Sequence, residues 1–198
     1  NGVMYIYQEG HDPLVFDPGT STSTYKRISE KTGHLGTAQL SNCVISAYGR
    51  TWSASTASDK NTVQFSDLLS GHVLTTGSAG TLNVSQVWPA GADEIQGLAA
   101  HNNYLYIFGR RQILIYQGAN DPTNMSLADT VSGIGCCARD SIKVTGDDII
   151  FLSDAGVMSM KRVVQERSAP LRDISANVRD DLVQAIANET LADIKAGY

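Results

Sequence analysis

Short apolar runs that alternate with polar residues dominate the chain, and they predict antiparallel strands. Residues 104–108 and 113–116 are rich in aromatic and β-branched side chains, and Gly109-Arg110-Arg111 lies between them. Two such runs around a short glycine-containing turn are typical of a β-hairpin. The same arrangement recurs along the chain. Its further predicted strands are residues 44–47, 51–54 and 62–65 upstream, and residues 149–152 and 157–160 downstream.

The spacing of these strands predicts a repeat. The last strand of each copy begins near residues 3, 63, 113 and 157, at offsets of 60, 50 and 44 residues. A period of this size, built from consecutive antiparallel strands, is typical of β-propeller blades with loop insertions. Residues 3–8 are interpreted as the closing strand of a blade whose beginning is missing. Since a closed ring needs about four to eight blades, we expect a partial ring from a longer polypeptide. The alternative is an antiparallel sandwich with coincidental spacing.

The remaining segments are predicted to be loops and one helix. Residues 9–42 are rich in glycine, serine, threonine, aspartate and proline and predict a long loop, and residues 71–91 form a second polar insertion with a short strand at 82–87. Near the end, apolar residues recur at every fourth position and then continue as a stripe. These are Ile174, Val178, Leu182 and Ile186, followed by Leu191 and Ile194. The spacing predicts an amphipathic helix over residues 174–196, capped by Asp173 and packed on its own protein.

These patterns together predict a mainly β chain. We expect antiparallel β-propeller blades in a partial ring, with long loops and a C-terminal amphipathic helix. Residues 1–162 are predicted to hold about three blades plus a closing strand of a preceding one. Residues 163–198 are predicted to form a linker and the amphipathic helix, which leads to the next blade or domain.

Composition and charge exclude some classes of function. The chain has 198 residues, of which 42% are apolar, and its 15 Lys and Arg against 20 Asp and Glu give a formal net charge of −5. This balance argues against a nucleic-acid binder that works through a basic face. No run approaches about 18 apolar residues, so no membrane-spanning segment is expected. The cysteines, Cys43, Cys136 and Cys137, do not form a disulfide framework and are expected to fill the core as thiols.

The sequence indicates no catalytic, cofactor-binding or metal-binding residue. His11, His34, His72 and His101 are scattered over predicted loops without a second ligand at the spacing of a zinc site. There is no G-x-S-x-G elbow, Walker motif or EF-hand loop. We therefore expect no cofactor, no metal and no enzymatic activity. Arg110-Arg111 is expected to be a solvated pair in its turn, or to form a salt bridge to a neighbouring subunit.

Two partial motifs are interpreted as turns. Residues 133–138, Gly-Ile-Gly-Cys-Cys-Ala, fit the loose dinucleotide fingerprint, whose chemistry requires a helix N-terminus after the glycines. Residues 140–145 instead have the pattern of a strand, so a loop-to-strand turn is favoured. Residues 49–52 and 153–156 resemble incomplete pieces of the Asp-box turn of sialidase propellers. Glycoside hydrolysis needs two suitably placed carboxylates, and the sequence indicates no such pair.

Strand and turn patterns between residues 95 and 162 carry a family resemblance. They are Ile95-Gln96-Gly97-Leu98, Tyr106-Ile107-Phe108-Gly109, residues 113–118, Gly133-Ile134-Gly135, Arg139-Asp140, residues 150–153 and Gly156-Val157. This stretch resembles the propeller blades of tail proteins from short-tailed bacteriophages. Two related groups share the pattern: the nozzle protein (tail tubular protein B) and the tail stabilisation protein. The earlier strands match loosely, and the long loops hardly match.

The resemblance implies a structural virion protein. In that family six copies ring a channel below the portal and adaptor, and they extend the tube through which the genome leaves the capsid. It implies a homo-hexamer that contacts the tail adaptor protein and tail fibres and lets genomic DNA pass without specific binding. It also implies a location in the virion tail, after assembly in the host bacterial cytoplasm. The competing hypothesis is a carbohydrate-binding or glycan-cleaving propeller that acts as a receptor-binding module.

Overall fold

The computed structural model describes residues 2–19, 25–166 and 174–197. Strands make up most of the regular structure in these ranges. They are β1 (Met4–Gln8), β2 (His11–Phe16), β3 (Lys26–Arg27), β4 (Cys43–Ala47), β5 (Arg50–Ala54), β6 (Thr62–Phe65), β7 (Gly80–Asn83), β8 (Gly97–His101), β9 (Tyr104–Phe108), β10 (Gln112–Gln117), β11 (Ser126–Ser132), β12 (Lys143–Thr145), β13 (Asp148–Ser153) and β14 (Gly156–Ser159). The α-helices are α1 (Met160–Glu166) and α2 (Arg179–Asn188). Short 3-10 helices lie at Ile28–Glu30, Pro122–Asn124, Arg139–Ser141 and Leu191–Asp193.

Across those ranges the strands form four antiparallel sheets, and the strand order in each sheet follows the chain order. Sheet 1 contains β1–β3, sheet 2 contains β4–β7, sheet 3 contains β8–β11 and sheet 4 contains β12–β14. In the described part of the chain, no sheet closes on itself. The predicted mainly β, antiparallel class is confirmed. The predicted hairpins are confirmed as the β4–β5, β9–β10 and β13–β14 pairs.

Tight turns fix the register of these hairpins. In the β8–β9 hairpin His101 pairs with Tyr104, and the turn between them is Asn102-Asn103, with φ of +49° and +65°. Positive φ at both central residues is the type I′ geometry, which matches the twist of paired strands. Asparagine and glycine tolerate this backbone best, and Gly49, with φ of +70°, takes the second position in the β4–β5 turn. The register of these hairpins is therefore determined by the residues of their own turns.

The N-terminal region corrects one sequence prediction. Residues 9–42 are not one long loop, because β2 and β3 lie inside this range. β1 pairs with β2, from Met4 opposite Phe16 onward, and so belongs to sheet 1. That residues 3–8 also close a preceding blade stays a prediction. Proline normally indicates a loop, but Pro13 lies inside β2. It lies where the β1–β2 register shifts, and a strand tolerates proline at such an irregularity. The buried side chain of Val15 then fixes β2 on the core.

Two shorter predicted strands are displaced. The strand predicted at residues 82–87 is β7 at Gly80–Asn83. The strand predicted at residues 140–145 begins only at Lys143, because the preceding residues form the 3-10 helix Arg139–Ser141.

The described chain divides into two compact units. Unit 1 comprises the described residues up to Val84 together with Asn120–Asn124, and unit 2 comprises Ser85–Ala119 and the described residues from Met125 onward. In sheet 2 of unit 1 the rings of Trp52 and Phe65 lie 5.2 Å apart, centroid to centroid. In unit 2 sheets 3 and 4 pack through Phe108 and Phe151, whose centroids are 5.0 Å apart. The domain boundary that the sequence predicts at residue 162 stays a prediction.

The C-terminal segment is helical over less of its length than predicted. Instead of one helix over 174–196, the chain has turns at residues 174–178, α2 at Arg179–Asn188 and a 3-10 helix at Leu191–Asp193. Helix formation fails at the start because the Ile174 N–H and the Ser175 hydroxyl bond to the backbone of Val157 on β14. Asp173, the predicted cap, lies outside the described residues, and α1 is a helix that the sequence pattern did not predict.

The apolar stripe of this segment divides into packed and exposed positions. Leu182 and Ile186 of α2 pack against a cluster of Cys137, Ala138 and Leu152, as do Leu191 and Ile194. Ile174 and Val178, at the start of the stripe, are more than half exposed. The prediction that this helix packs on its own protein is therefore confirmed for α2. Among the described residues, no helix is long and apolar enough to cross a membrane.

Candidate functional site

A polar groove lies in unit 1. Its volume is about 980 Å³, and its walls come from sheet 1, sheet 2 and the loop before Leu74. This size lies at the upper end of the range for small-molecule sites, about 300–1,000 Å³. The groove is lined by more polar than apolar groups, and its chemistry comes from tyrosines on β1, a carboxylate after β2, and a histidine in the loop.

Two tyrosines reach the groove from β1. Side chains of a strand alternate between its faces, so Tyr5 and Tyr7 share one face and Met4 and Ile6 share the other. The hydroxyl of Tyr5 lies 3.3 Å from Nδ1 of His72 in the loop. Burial raises the pKa of Tyr5 and raises that of Tyr7 further. Both phenols are therefore neutral at physiological pH and present hydroxyl groups, not phenolates.

An ion pair stands at the end of the groove where β2 ends. Lys31 Nζ lies 2.9 Å from Oδ2 of Asp17, and the backbone N–H of Gly19 donates to the other carboxylate oxygen at 3.1 Å. The hydrogen bond from Lys31, followed by that from Gly19, lowers the pKa of Asp17. Because both partners are charged at neutral pH, the pair adds no net charge to the groove.

His72 is held in place from two sides. Nδ1 of its ring forms a hydrogen bond with the Tyr5 hydroxyl. Its backbone carbonyl oxygen lies 3.0 Å from Nδ1 of His34. Burial lowers the pKa of His72, and electrostatic interactions with Lys31 and His34 lower it further. The imidazole is therefore neutral at physiological pH, with one nitrogen able to donate and one able to accept.

A buried arginine anchors the wall from sheet 2. Arg50 is only 5% exposed, and its guanidinium donates to the carbonyl of Ser66 at 2.8 Å and to the hydroxyl of Ser78 at 2.7 Å. Its Nε atom has no hydrogen-bond partner within the described ranges. Gly71 completes the wall, because a Cβ atom there would lie 2.8 Å from the Tyr5 ring.

The glycines of the dinucleotide-like motif have a steric role. A Cβ atom on Gly135 would overlap the backbone of Gly109 and Arg110, and the following N–H, of Cys136, donates to the Gly109 carbonyl at 2.9 Å. No α-helix follows the glycines in this region; the 3-10 helix Arg139–Ser141 does. The helix N-terminus that would hold a pyrophosphate is therefore missing from this segment, and the prediction of a turn is confirmed.

The residues that resemble Asp-box pieces occupy hairpin turns. The hydroxyl of Ser153 accepts the Ala155 N–H and donates to the Gly156 carbonyl, both at 3.1 Å, and so stabilises the β13–β14 turn. Arg110 pairs with Asp154 at 2.7 Å. This ion pair within unit 2 is partly exposed, and Arg111 is exposed beside it, so the predicted solvated pair is confirmed in part. The predicted salt bridge to a neighbouring subunit stays a prediction.

The cysteines lie in the interior, as predicted. Cys43, Cys136 and Cys137 are buried free thiols, and burial raises the pKa of Cys136 to about 12. The histidines are less scattered than predicted, since the fold brings His34 and His72 into contact. In the parts of the chain that the structure describes, no group of His, Cys, Asp or Glu side chains could hold a metal ion.

The residues of the groove escaped the sequence prediction because they are distant in the chain. Tyr5 and His72 are separated by 67 positions, and Asp17 and Lys31 by 14. The only signal available was the alternation of tyrosines in β1, which indicates a shared aromatic face. No protein-family model matches the chain, and no curated protein is significantly similar to it.

Proposed function

We propose that this chain is a structural virion protein of a short-tailed phage and forms part of the tail nozzle through which the genome is ejected. In this proposal it has no enzymatic activity and takes no cofactor. It assembles as a homo-hexameric ring in the virion tail and contacts the tail adaptor protein and tail fibres. The observation that carries the proposal is the succession of antiparallel meanders, read together with the resemblance over residues 95–162.

The meanders have the properties expected of propeller blades. Each sheet follows the chain order, and the four-stranded sheets 2 and 3 have the number of strands of a typical blade. Within unit 2, the rings of Phe108 of sheet 3 and Phe151 of sheet 4 contact each other with their planes tilted by 58°, as expected if core residues of neighbouring blades interlock. In the proposal, these sheets are blades of a ring that further sheets complete.

An exposed apolar face on sheet 1 supports assembly. Met4 and Ile6 of β1 and Leu14 of β2 are 44%, 41% and 40% exposed. Ile6 and Leu14 are direct partners in the β1–β2 register, so these side chains form one continuous patch. Contiguous exposed apolar surface is typical of protein interfaces. In the proposal this face is covered when the ring forms.

The charge of the chain suits a conduit for DNA. A formal net charge of −5 gives no net electrostatic attraction to phosphates. A tube that bound the genome tightly would retard its passage. The proposal therefore assigns DNA the role of a passing cargo and not of a ligand.

The test is the assembly state of the purified chain. We expect mass photometry to detect a hexamer and negative-stain images to show a ring with an axial channel. The double variant Met4→Glu/Ile6→Glu should weaken assembly, because each substitution places a charge in the apolar patch. Leu127→Glu is the matched control, since Leu127 on β11 is 42% exposed but lies in unit 2. A monomer at every concentration, or a monomer that cleaves glycans, contradicts the proposal.

A further inference from the structure

We infer that a cavity in unit 2 is a binding site for a small carboxylate with an apolar tail, of the size of a medium-chain fatty carboxylate. The cavity has a volume of about 320 Å³, and it is lined mainly by one face of sheet 4 and by residues 194–197 of the C-terminal segment. All of its lining residues belong to unit 2. The inference goes beyond the tail-nozzle proposal and does not depend on it, since it uses only the lining of this cavity.

The register of sheet 4 provides an apolar floor. Ile150 and Leu152 are alternate residues of β13, so they share the face opposite to Phe151, whose ring packs in the core of unit 2. Val157 of β14 is the direct partner of Leu152 and extends the same face. The surface that the lining exposes is mainly apolar. An apolar tail that leaves water for this floor is therefore stabilised by its burial.

Two lysines add positive charge to the lining. Lys143 pairs with Ile150 in the β12–β13 register and therefore lies on the same face of the sheet, and Lys195 lines the cavity from the C-terminal segment. Among the residues that the structure describes, neither lysine has an ion-pair partner, and no aspartate or glutamate lines the cavity. An ammonium group has three donors and no acceptor. The cavity thus combines an uncompensated positive charge with an apolar floor.

The hydroxyl groups of the lining are already engaged. The Ser141 hydroxyl donates to the Ala138 carbonyl at 2.6 Å and accepts the Leu152 N–H at 3.0 Å. The Thr145 hydroxyl donates to the Asp148 carbonyl at 3.1 Å. The two ammonium groups are therefore the side-chain donors of this lining that remain available to a ligand. They favour an anionic head over a neutral one, because hydrogen bonds between charged partners are the stronger ones.

The volume sets the length of the tail. A water molecule occupies about 30 Å³ in the liquid, and a methylene group is of similar size, so the cavity holds roughly ten such groups. Octanoate, with its eight carbons and two oxygens, matches this volume. A carboxylate is a compact anionic head and leaves most of the space to the tail. The geometry therefore points to a carboxylate with about eight carbons.

The experiment is a calorimetric titration of the purified full chain. The probes are octanoate, hexanoate and decanoate, together with acetate as a head without a tail, octan-1-ol as the same tail with a neutral head, and octylammonium as the same tail with a positive head. We expect octanoate to bind about 15-fold more tightly than hexanoate, since each buried methylene group contributes about fourfold. The gain from octanoate to decanoate should be smaller, because the added carbons extend beyond the cavity. Acetate and octylammonium should not bind measurably.

Charge variants test the lysines. Lys143→Met keeps a long unbranched side chain and removes the charge, and it should weaken octanoate binding about tenfold while leaving octan-1-ol binding unchanged. Lys195→Met should weaken octanoate binding about threefold, because Lys195 is exposed and its charge is screened. Lys26→Met is the matched control, since Lys26 is an exposed strand lysine of unit 1 that lies outside the cavity. Circular dichroism checks that each variant is folded.

NMR locates the bound tail. In protein with labelled isoleucine methyl groups, nuclear Overhauser effects from octanoate should reach Ile150 and Ile194, which line the cavity. The inference is overturned if octanoate does not bind, if octan-1-ol or octylammonium binds as tightly, or if the folded Lys143→Met variant binds octanoate as tightly as Lys26→Met does. Contacts to isoleucines outside the cavity alone would also overturn it. None of these results bears on the hexamer, so the two proposals fail separately.

Discussion

Replacing Gly135 by alanine tests whether the glycine in residues 133–138 is needed for close packing against the β9–β10 turn. A Cβ atom at this position would meet the carbonyl oxygen of Gly109 and the carbonyl group of Arg110 at distances that real Cβ atoms do not show. Those atoms belong to backbone and cannot rotate away, so the β9–β10 turn must shift. Overpacking of this kind costs about 1–3 kcal/mol. Weakening the hydrogen bond from Cys136 to Gly109 adds about 1 kcal/mol.

A smaller effect acts in the opposite direction. Alanine restricts the unfolded chain more than glycine does and so stabilises the fold by about 0.4–1 kcal/mol. The net expectation is a loss of about 2–3 kcal/mol, which corresponds to a fall in Tm of about 5–10 °C for a chain of this length. Differential scanning calorimetry and urea unfolding measure both quantities.

Gly146→Ala is the matched control. Nothing lies within 4 Å of a Cβ atom at Gly146, and its φ is not positive. This variant should keep the wild-type Tm or raise it slightly. If Gly135→Ala is as stable as Gly146→Ala, the steric account of the motif is wrong. If a dinucleotide raises the Tm of the wild type but not of Gly135→Ala, the segment is a phosphate site after all.

Asp67 accepts hydrogen bonds from the backbone N–H and the hydroxyl of Ser78, which hold its pKa below the ordinary carboxyl value. Its stabilising effect is therefore present at neutral pH and is lost as the pH falls below about 4. The urea midpoint of Asp67→Asn should be lower than that of the wild type at neutral pH, and the difference should vanish in strong acid; a difference independent of pH contradicts this. The Cys136 thiol, with its pKa raised to about 12, should not react with DTNB at mildly alkaline pH until the protein unfolds. Peptide mass spectrometry that finds Cys136 labelled in the folded protein refutes this expectation. Phe151→Ala removes a fully buried ring and should lower the free energy of unfolding by about 3–5 kcal/mol. Val144→Ala, at an exposed strand position, should lower it by less than about 0.5 kcal/mol, and equal losses would argue against a core at Phe151.

The hairpins were predictable because their determinants are local. The alternation in residues 104–108 and the turn at Asn102-Asn103 lie within a few positions of the residues that they pair. Register follows from the turn geometry, and no distant contact is needed. β2 was missed although it is equally local, because the proline signal at Pro13 normally indicates a loop and only the bulge accommodates it.

The C-terminal helix shows where tertiary contacts override a pattern. Apolar residues every four positions predict one helix from residue 174, and the pattern holds for Leu182 and Ile186 in α2. At Ile174, however, the backbone N–H bonds to Val157 of β14, a partner that no local pattern reveals. An edge strand with a free carbonyl thus competes with helix formation.

The residues of the groove could not be predicted from the sequence for a related reason. Its chemistry depends on Tyr5 meeting His72, and on Lys31 meeting Asp17, which the packing of sheets 1 and 2 brings about. None of these residues forms a spaced motif, and each has an ordinary structural interpretation by itself. Only the fold gives them a common environment, which shifts the pKa values of Tyr5, Asp17 and His72.

The strand order within the sheets has a consequence for biosynthesis. Every strand of the described sheets pairs only with the strand before or after it in the chain. Each pairing therefore closes a short loop, which lowers the entropic barrier to folding and favours rapid formation. Since the chain leaves the ribosome N-terminus first, all strands of sheet 2 are available before β8 is made. When synthesis reaches Val84, the nascent chain already contains every strand of sheets 1 and 2 and none of sheets 3 and 4.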